Sequence, residues 1–133
     1  MDARKFFPVA DRLRNSDDEA DRRTSIGRSY YGLFHVLLSA LSEGGVIFRK
    51  TPEDHQTLIS YLTKSGHVAA RSVGNTLKDL RDYRNRADYK LKKFIDKKTT
   101  DFVYEKAIRA LSQFETIPAP ELAALIRTIQ NLP

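Results

Sequence analysis

Within residues 17–43, Ile26, Tyr30, Leu33, Phe34, Leu37 and Leu41 recur at steps of three and four. That period places them on one face of an α-helix and is incompatible with a strand. The helix is expected to begin near Ser16 or Asp17. Asp17, Asp18 and Glu19 would then lie in its first turn, where acidic side chains oppose the helix dipole. Gly44-Gly45 supplies the stop. About 26 helical residues span roughly 40 Å. A rod of that length needs partners of similar length to cover its apolar face, which suits an elongated bundle.

The remaining sequence reads the same way. There is no Asn-Gly or Asp-Gly hairpin signature and no sustained alternation, so the expected class is all-α. A short helix near the start carries Phe6, Phe7, Ala10 and Leu13, with Pro8 in its first turn, and Asn15-Ser16 breaks it. Thr51-Pro52-Glu53-Asp54 reads as an N-cap, a proline at the first helical position and an acidic first turn. That helix carries Leu58, Ile59 and Leu62 and stops at Gly66. A second long helix runs from about Ala69 to Leu91 on Val73, Leu77, Leu80 and Ala87. Gly74 inside it costs about 1 kcal/mol relative to alanine, which points to a close helix approach. Thr99 or Thr100 is expected to cap the next helix, with Phe102, Tyr104, Ala107, Ile108, Leu111 and Phe114 facing inward. Pro118 and Pro120 break the chain before a last amphipathic helix, Glu121 to about Leu132, with Leu122, Leu125, Ile126 and Ile129 on one face.

The expected architecture is an antiparallel up-and-down bundle of four main helices plus short accessory helices. Residues 1–133 form one domain, and 119–133 its C-terminal accessory helix. Short connections imply antiparallel neighbours, and a chain of 133 residues supports one core. The last helix covers its own bundle, swaps onto a second copy, or docks in a partner's groove.

Twenty-three lysines and arginines face 17 acidic residues, for a net charge of +6. Five of the lysines fall in 90–98, directly after Arg81, Arg84 and Arg86. A basic cluster of this kind is either a solvated connection or a footprint for a polyanion. The absence of cysteine removes disulfides and thiolate metal sites and fits a reducing, cytoplasmic setting. No apolar leader or membrane-length segment is read, so no membrane partner is expected. Three histidines without ligand spacing give no metal site, and nothing implies a cofactor. His55 and His67, near helix ends, are expected on the surface.

Two polar clusters sit on the two long helices. In the first, Arg28, Tyr31 and His35 stand at i, i+3 and i+7, a stripe bordering the apolar one. In the second, Arg84 lies four residues past Leu80, on the core side, and Asp88 four further, so the two can pair along one face. A guanidinium near a core needs partners, because an unpaired buried charge is costly. Tyr31, His35 or Asp88 could supply them. Each of these side chains also has a structural reading: Arg84–Asp88 as an ion pair locking helices, His35 as a core-edge ring, Tyr30-Tyr31 as packing.

The pattern Ser29-x-Tyr31-x-x-Phe34-His35 in the early helix, followed by Leu80-Arg81-x-x-Arg84-Asn85-x-Ala87-Asp88-Tyr89 in the later one, resembles the HEPN superfamily over roughly residues 5 to 116. The resemblance implies a helical bundle that often forms a homodimer. It also implies a bacterial or archaeal toxin–antitoxin-like or defence-associated RNA system, often with a nucleotidyltransferase as partner. Many members are metal-independent endoribonucleases with an Arg-x(4–6)-His motif, in which acid–base work on a 2′-hydroxyl is joined by arginine stabilisation of the phosphorane. Here Arg84 supplies the arginine and Asn85 the following polar residue. Tyr89 stands where the histidine is expected, and no histidine follows His67.

On that resemblance the expected catalytic set is Arg84 at the phosphate with Asp88 or His35 as base. Arg28, Tyr31, Asn85 and Tyr89 would bind RNA or nucleotide. The other reading is a non-catalytic helical dimerisation or interaction module partnering a nucleotidyltransferase.

Overall fold

The computed structural model describes residues 1–133 and contains helices and turns without a strand. A 3-10 turn, Ala3–Lys5, leads into α1, Phe6–Leu13. The long α2 is Glu19–Glu43, and α3 is Asp54–Lys64. The second long helix, α4, is Val68–Tyr89. α5 is Lys97–Glu115 and α6 is Ala119–Gln130. No helix is long and apolar enough to cross a membrane.

Side chains accept from the orphan N–H groups at the starts of α2, α4 and α5, and the helix starts are not always at the expected residues. Asp18 caps α2, accepting from Ala20 N at 2.9 Å. Ser16, the expected start, closes the preceding turn instead: its hydroxyl accepts from Asp18 N and donates to Asp21. α3 begins at Asp54 rather than after Thr51. Thr51–Glu53 form a turn, and the buried Asp54 carboxylate reaches back to accept from Arg49 N and Lys50 N at 3.1 and 2.8 Å. Lys50 takes a left-handed backbone (φ 60°) to present that N–H. Asp96, not a threonine, caps α5 through Thr99 N at 2.8 Å. Thr100 is turned inward, donating to Arg14 O at 2.6 Å.

α2 is the central rod. It packs against α1, α4 and α5, while α3 lies along α4 and α4 also meets α5. One contiguous core joins Ile26, Tyr30, Leu33, Leu37 and Leu41 of α2 to Leu58 and Leu62 of α3, Val73, Leu77 and Leu80 of α4, and Val103 and Ala107 of α5. Phe102, expected inward, is 48% exposed and sits edge-on to Tyr83. Val103 takes the inward place. At Gly74 a Cβ would meet Leu62 Cβ and Thr63 Cγ2 at 2.9 Å, so the glycine lets α3 and α4 approach closely. α6 folds onto its own chain: Leu125, Ile126 and Ile129 are buried, and Ile126 lies against Gly44 at the end of α2.

Two arginines of α2 tie down the connection that follows α4. The buried Arg22 donates to Ile95 O and Ser16 O, both at 2.9 Å. Arg23 donates to Ala87 O at 2.8 Å, near the C-terminus of α4, and to Lys93 O, while pairing with Glu19. A cation there meets the negative end of the helix dipole. Together these contacts fix the end of α4, which carries Arg84, against α2, which carries Tyr31.

Candidate functional site

Arg84 is half-buried, its side chain 17% exposed. Its Nη2 donates to Tyr31 Oη at 2.5 Å, and its Nη1 donates to Asn85 Oδ1 at 2.9 Å. Its Nε stands 3.1 Å from Asp88 Oδ2, within ion-pair distance but without hydrogen-bond alignment. The guanidinium carbon lies 5.1 Å from the Tyr31 ring centre and 5.6 Å from that of Tyr89. A planar cation held this way is pre-oriented, and oriented guanidinium groups suit phosphate recognition.

Around Arg84 a set of rings is nested. Phe34 stacks on His55 with centroids 4.1 Å apart, and meets His35 edge-on at 5.0 Å. Tyr31 lies 6.0 Å from both His35 and His55. Tyr30 is fully buried, and its hydroxyl shares a 2.5 Å hydrogen bond with His55 Nδ1. Burial pushes the Tyr30 phenol well above its ordinary value, so it stays protonated. Both imidazoles have pKa values below the ordinary 6.5. For His35 the causes are burial and then Arg28; for His55, burial, then Arg81, Arg84 and His35, partly offset by Asp54. Both rings therefore stay neutral at neutral pH.

These side chains line a groove of about 870 Å³ between α2, α3, the 46–52 loop and the C-terminal half of α4. Tyr31, His35, Arg84 and Tyr89 of the expected set border it, joined by His55 and Arg81. Its apolar wall is Phe34, Leu38, Val46 and Phe48. The other expected residues lie beside it. Asn85 and Asp88 hold the guanidinium, and Arg28 stands over the Phe6 ring at 4.7 Å. His35 also borders a second pocket, of about 590 Å³, with Arg4, Phe6 and Glu43.

His55 and Arg81 went unremarked as site residues in the sequence. His55 is half-buried rather than on the surface, because α3 turns its N-terminus over α2. His67 is also drawn in. It caps α4 by accepting from Ala70 N, and its Nε2 meets Glu121 of α6 at 2.6 Å.

The groove's charge is positive where it is free. Asp54 is occupied by two backbone N–H groups and Asp88 by Arg84, while Arg81 has one long contact, to Gln56 at 3.5 Å. Tyr89, at the mouth, is 72% exposed. Beyond it Lys90, Lys92 and Lys93 are exposed, with Leu91 and Phe94 among them. No group of three or more His, Asp or Glu side chains is arranged so that it could hold a metal ion. The arrangement can bind an anion, stack a planar ring, and exchange protons through two neutral imidazoles. No family model, curated protein or solved structure matches the chain.

Proposed function

We propose that this chain is a HEPN-like RNA-binding domain whose groove takes a phosphodiester of single-stranded RNA against Arg84 and Arg81. The bundle is read as up-and-down and antiparallel, and the working form as a homodimer. One observation carries the reading: a half-buried guanidinium, seated by Tyr31 and Asn85, opens beside a second arginine into a ring-lined groove. Exposed aromatic rings beside a phosphate site stack on bases without demanding a sequence. Tyr89 is placed for this, and the lysines after it extend the positive track. The cellular setting that goes with the reading is a toxin–antitoxin-like or defence-associated RNA system with a nucleotidyltransferase partner.

The test is fluorescence anisotropy with an RNA of about 12 nucleotides, a length suited to a groove of this kind. Affinity should fall steeply as salt rises, since bound phosphates release counterions. Arg84→Ala and Arg81→Ala should each weaken binding roughly tenfold. Mononucleotide competing as well as the strand would shift the ligand to a nucleotide. Affinity that ignores both salt and these substitutions would overturn the reading. It would favour a non-catalytic module that docks a protein partner, a role for which exposed Ile47, Leu91 and Phe94 are suited.

A further inference from the structure

We infer that His55 donates a hydrogen bond to the anion in this groove, through an Nε2–H that Tyr30 and Phe34 hold in place. With Tyr31, Arg81 and Arg84 it makes a seat of donors that has no free carboxylate. The inference rests on the RNA-binding reading of the same groove and fixes which oxyanions the seat accepts. Tyr30 decides the tautomer. Its hydroxyl is buried in the core, stays protonated, and has His55 Nδ1 as its one partner, at 2.5 Å. A buried hydroxyl proton without an acceptor is costly, so Tyr30 donates and Nδ1 accepts. The ring is neutral: burial and the Arg81 and Arg84 guanidinia of α4 disfavour a second proton, His35 of α2 adds to them, and Asp54 of α3 offsets them in part. A neutral imidazole whose Nδ1 accepts carries its one proton on Nε2.

That N–H has a set direction. Phe34 stacks on the imidazole at 4.1 Å with 16° between the planes, which fixes the plane of the ring, and the Tyr30 bond fixes its rotation within that plane. Nε2 has no partner in the protein and is not sealed from solvent, and His55 borders the groove. Tyr31 is placed alike. Its Oη accepts from Arg84, and its own proton has no acceptor in the protein. Arg84 spends one N–H of each terminal nitrogen on Asn85 and Tyr31 and keeps the other. Arg81 has only its long contact to Gln56. The carboxylates at hand are taken: Asp54 by Arg49 N and Lys50 N, and Asp88 by Arg84.

Such a seat selects by protonation state. A phosphodiester and a sulfate are fully ionised at neutral pH, so every free oxygen is an acceptor and each can meet a donor. Inorganic phosphate keeps a hydroxyl at neutral pH, and that hydroxyl finds no free carboxylate here. Donors held in advance lose little freedom when the anion arrives, so the neutral imidazole adds to what the two guanidinia supply.

The experiment is histidine-ring nitrogen NMR on the full ¹⁵N-labelled chain at about pH 7.5, above the imidazole range. His55 should show a protonated Nε2 and an unprotonated Nδ1. An RNA of about 12 nucleotides, and sulfate alone, should each move the His55 Nε2–H signal. The signals of His67, which is committed to Ala70 N and Glu121, should stay in place. The double variant Tyr30→Phe/His55→Phe keeps a ring on Phe34 and leaves no orphaned hydroxyl. It should weaken RNA binding about tenfold. In competition at matched ionic strength, sulfate should displace the RNA at least as well as inorganic phosphate. A His55 protonated on Nδ1, or an Nε2–H signal indifferent to RNA that still binds through Arg84, overturns the inference and leaves RNA binding standing. Phosphate displacing the RNA markedly better than sulfate would reveal a free acceptor and overturn the donor seat. Sulfate moving the Nε2–H signal while RNA fails to bind supports the seat and removes the RNA reading.

Discussion

Arg84 and Tyr31 come from segments 53 residues apart, and their meeting was readable because each obeys a local rule. Arg84 follows Leu80 by one helical turn, so it had to approach the core, and a guanidinium there requires oxygen partners. Tyr31→Phe keeps the ring beneath the cation and removes one acceptor. A hydrogen bond to a charged, partly exposed donor contributes about 1 kcal/mol net. Urea titration should show a loss of that size, and an unchanged midpoint would mean that Asn85 and Asp88 suffice. His55 was not readable, because its neighbours in sequence are exposed residues and Asp54. Its partner Tyr30 is reached only after α3 docks over α2. The two imidazoles also predict a pH dependence of stability. Each folded pKa lies below the ordinary 6.5, so the unfolded chain takes up protons first as the medium is acidified. The contribution is whole above about pH 6.5 and is lost as pH falls from there through the lowered folded values. Wild-type urea midpoints should decline between about pH 7 and pH 5, and the decline should be shallower in the double variant His35→Gln/His55→Gln. Equal slopes in the two proteins would contradict a role for these rings.

The helices themselves were legible from apolar spacing, but their ends were decided by long-range partners. Ser16, Thr51 and Thr100 were plausible caps by residue type, yet each is engaged in a turn or a neighbouring carbonyl, and Asp18, Glu53 and Asp96 hold the N-cap positions instead. His67 is the opposite case: an isolated histidine in sequence that caps α4 and ties it to α6. Because Nδ1 accepts from Ala70 N, the ring must carry its proton on Nε2 and donate it to Glu121. His67→Ala should cost about 1–2 kcal/mol, the loss of an N-cap with its packing. Glu121→Gln should cost under about 0.5 kcal/mol, since the carboxylate is half exposed. Comparable losses from both would place the stabilisation in the hydrogen bond to Glu121 instead. The α3–α4 contact supplies a sharper contrast between two glycines. Gly74→Ala gains helix propensity of about 1 kcal/mol but drives a methyl against Leu62, Thr63 Cγ2 and the Thr63 backbone nitrogen. Net destabilisation of about 1–2 kcal/mol is expected from overpacking. Gly27→Ala, where a Cβ meets nothing within 4 Å, should stabilise by about 0.5–1 kcal/mol. Equal effects from the two substitutions would show that α3 and α4 yield easily.

At the level of the entire chain, the open question left by the sequence was what the last helix covers. Its apolar face and the two prolines ahead of it were plain, but a local pattern cannot say whether a helix folds back on its own bundle or crosses to another. The structure seats it in cis, with Leu125, Ile126 and Ile129 entering the same core as Leu41 and Val46. Ile126 rests where Gly44 leaves room, and Gln130 approaches Gly45. Burying three such side chains contributes roughly 5 kcal/mol or more, comparable with the entire stability of many domains. Ile129→Ala should therefore cost about 2–4 kcal/mol. Deleting residues from Pro118 onward should give a chain that unfolds or aggregates rather than a shortened bundle. The arrangement in cis makes one more demand. If α6 closes its own bundle, the loss caused by Ile129→Ala is intramolecular, and the difference in thermal midpoint between wild type and variant should not change over a hundredfold range of protein concentration. A homodimer formed elsewhere on the surface would raise both midpoints together and leave that difference alone. A helix exchanged between copies would make the gap grow as the protein is concentrated, because the side chain would then stabilise the assembly rather than the fold.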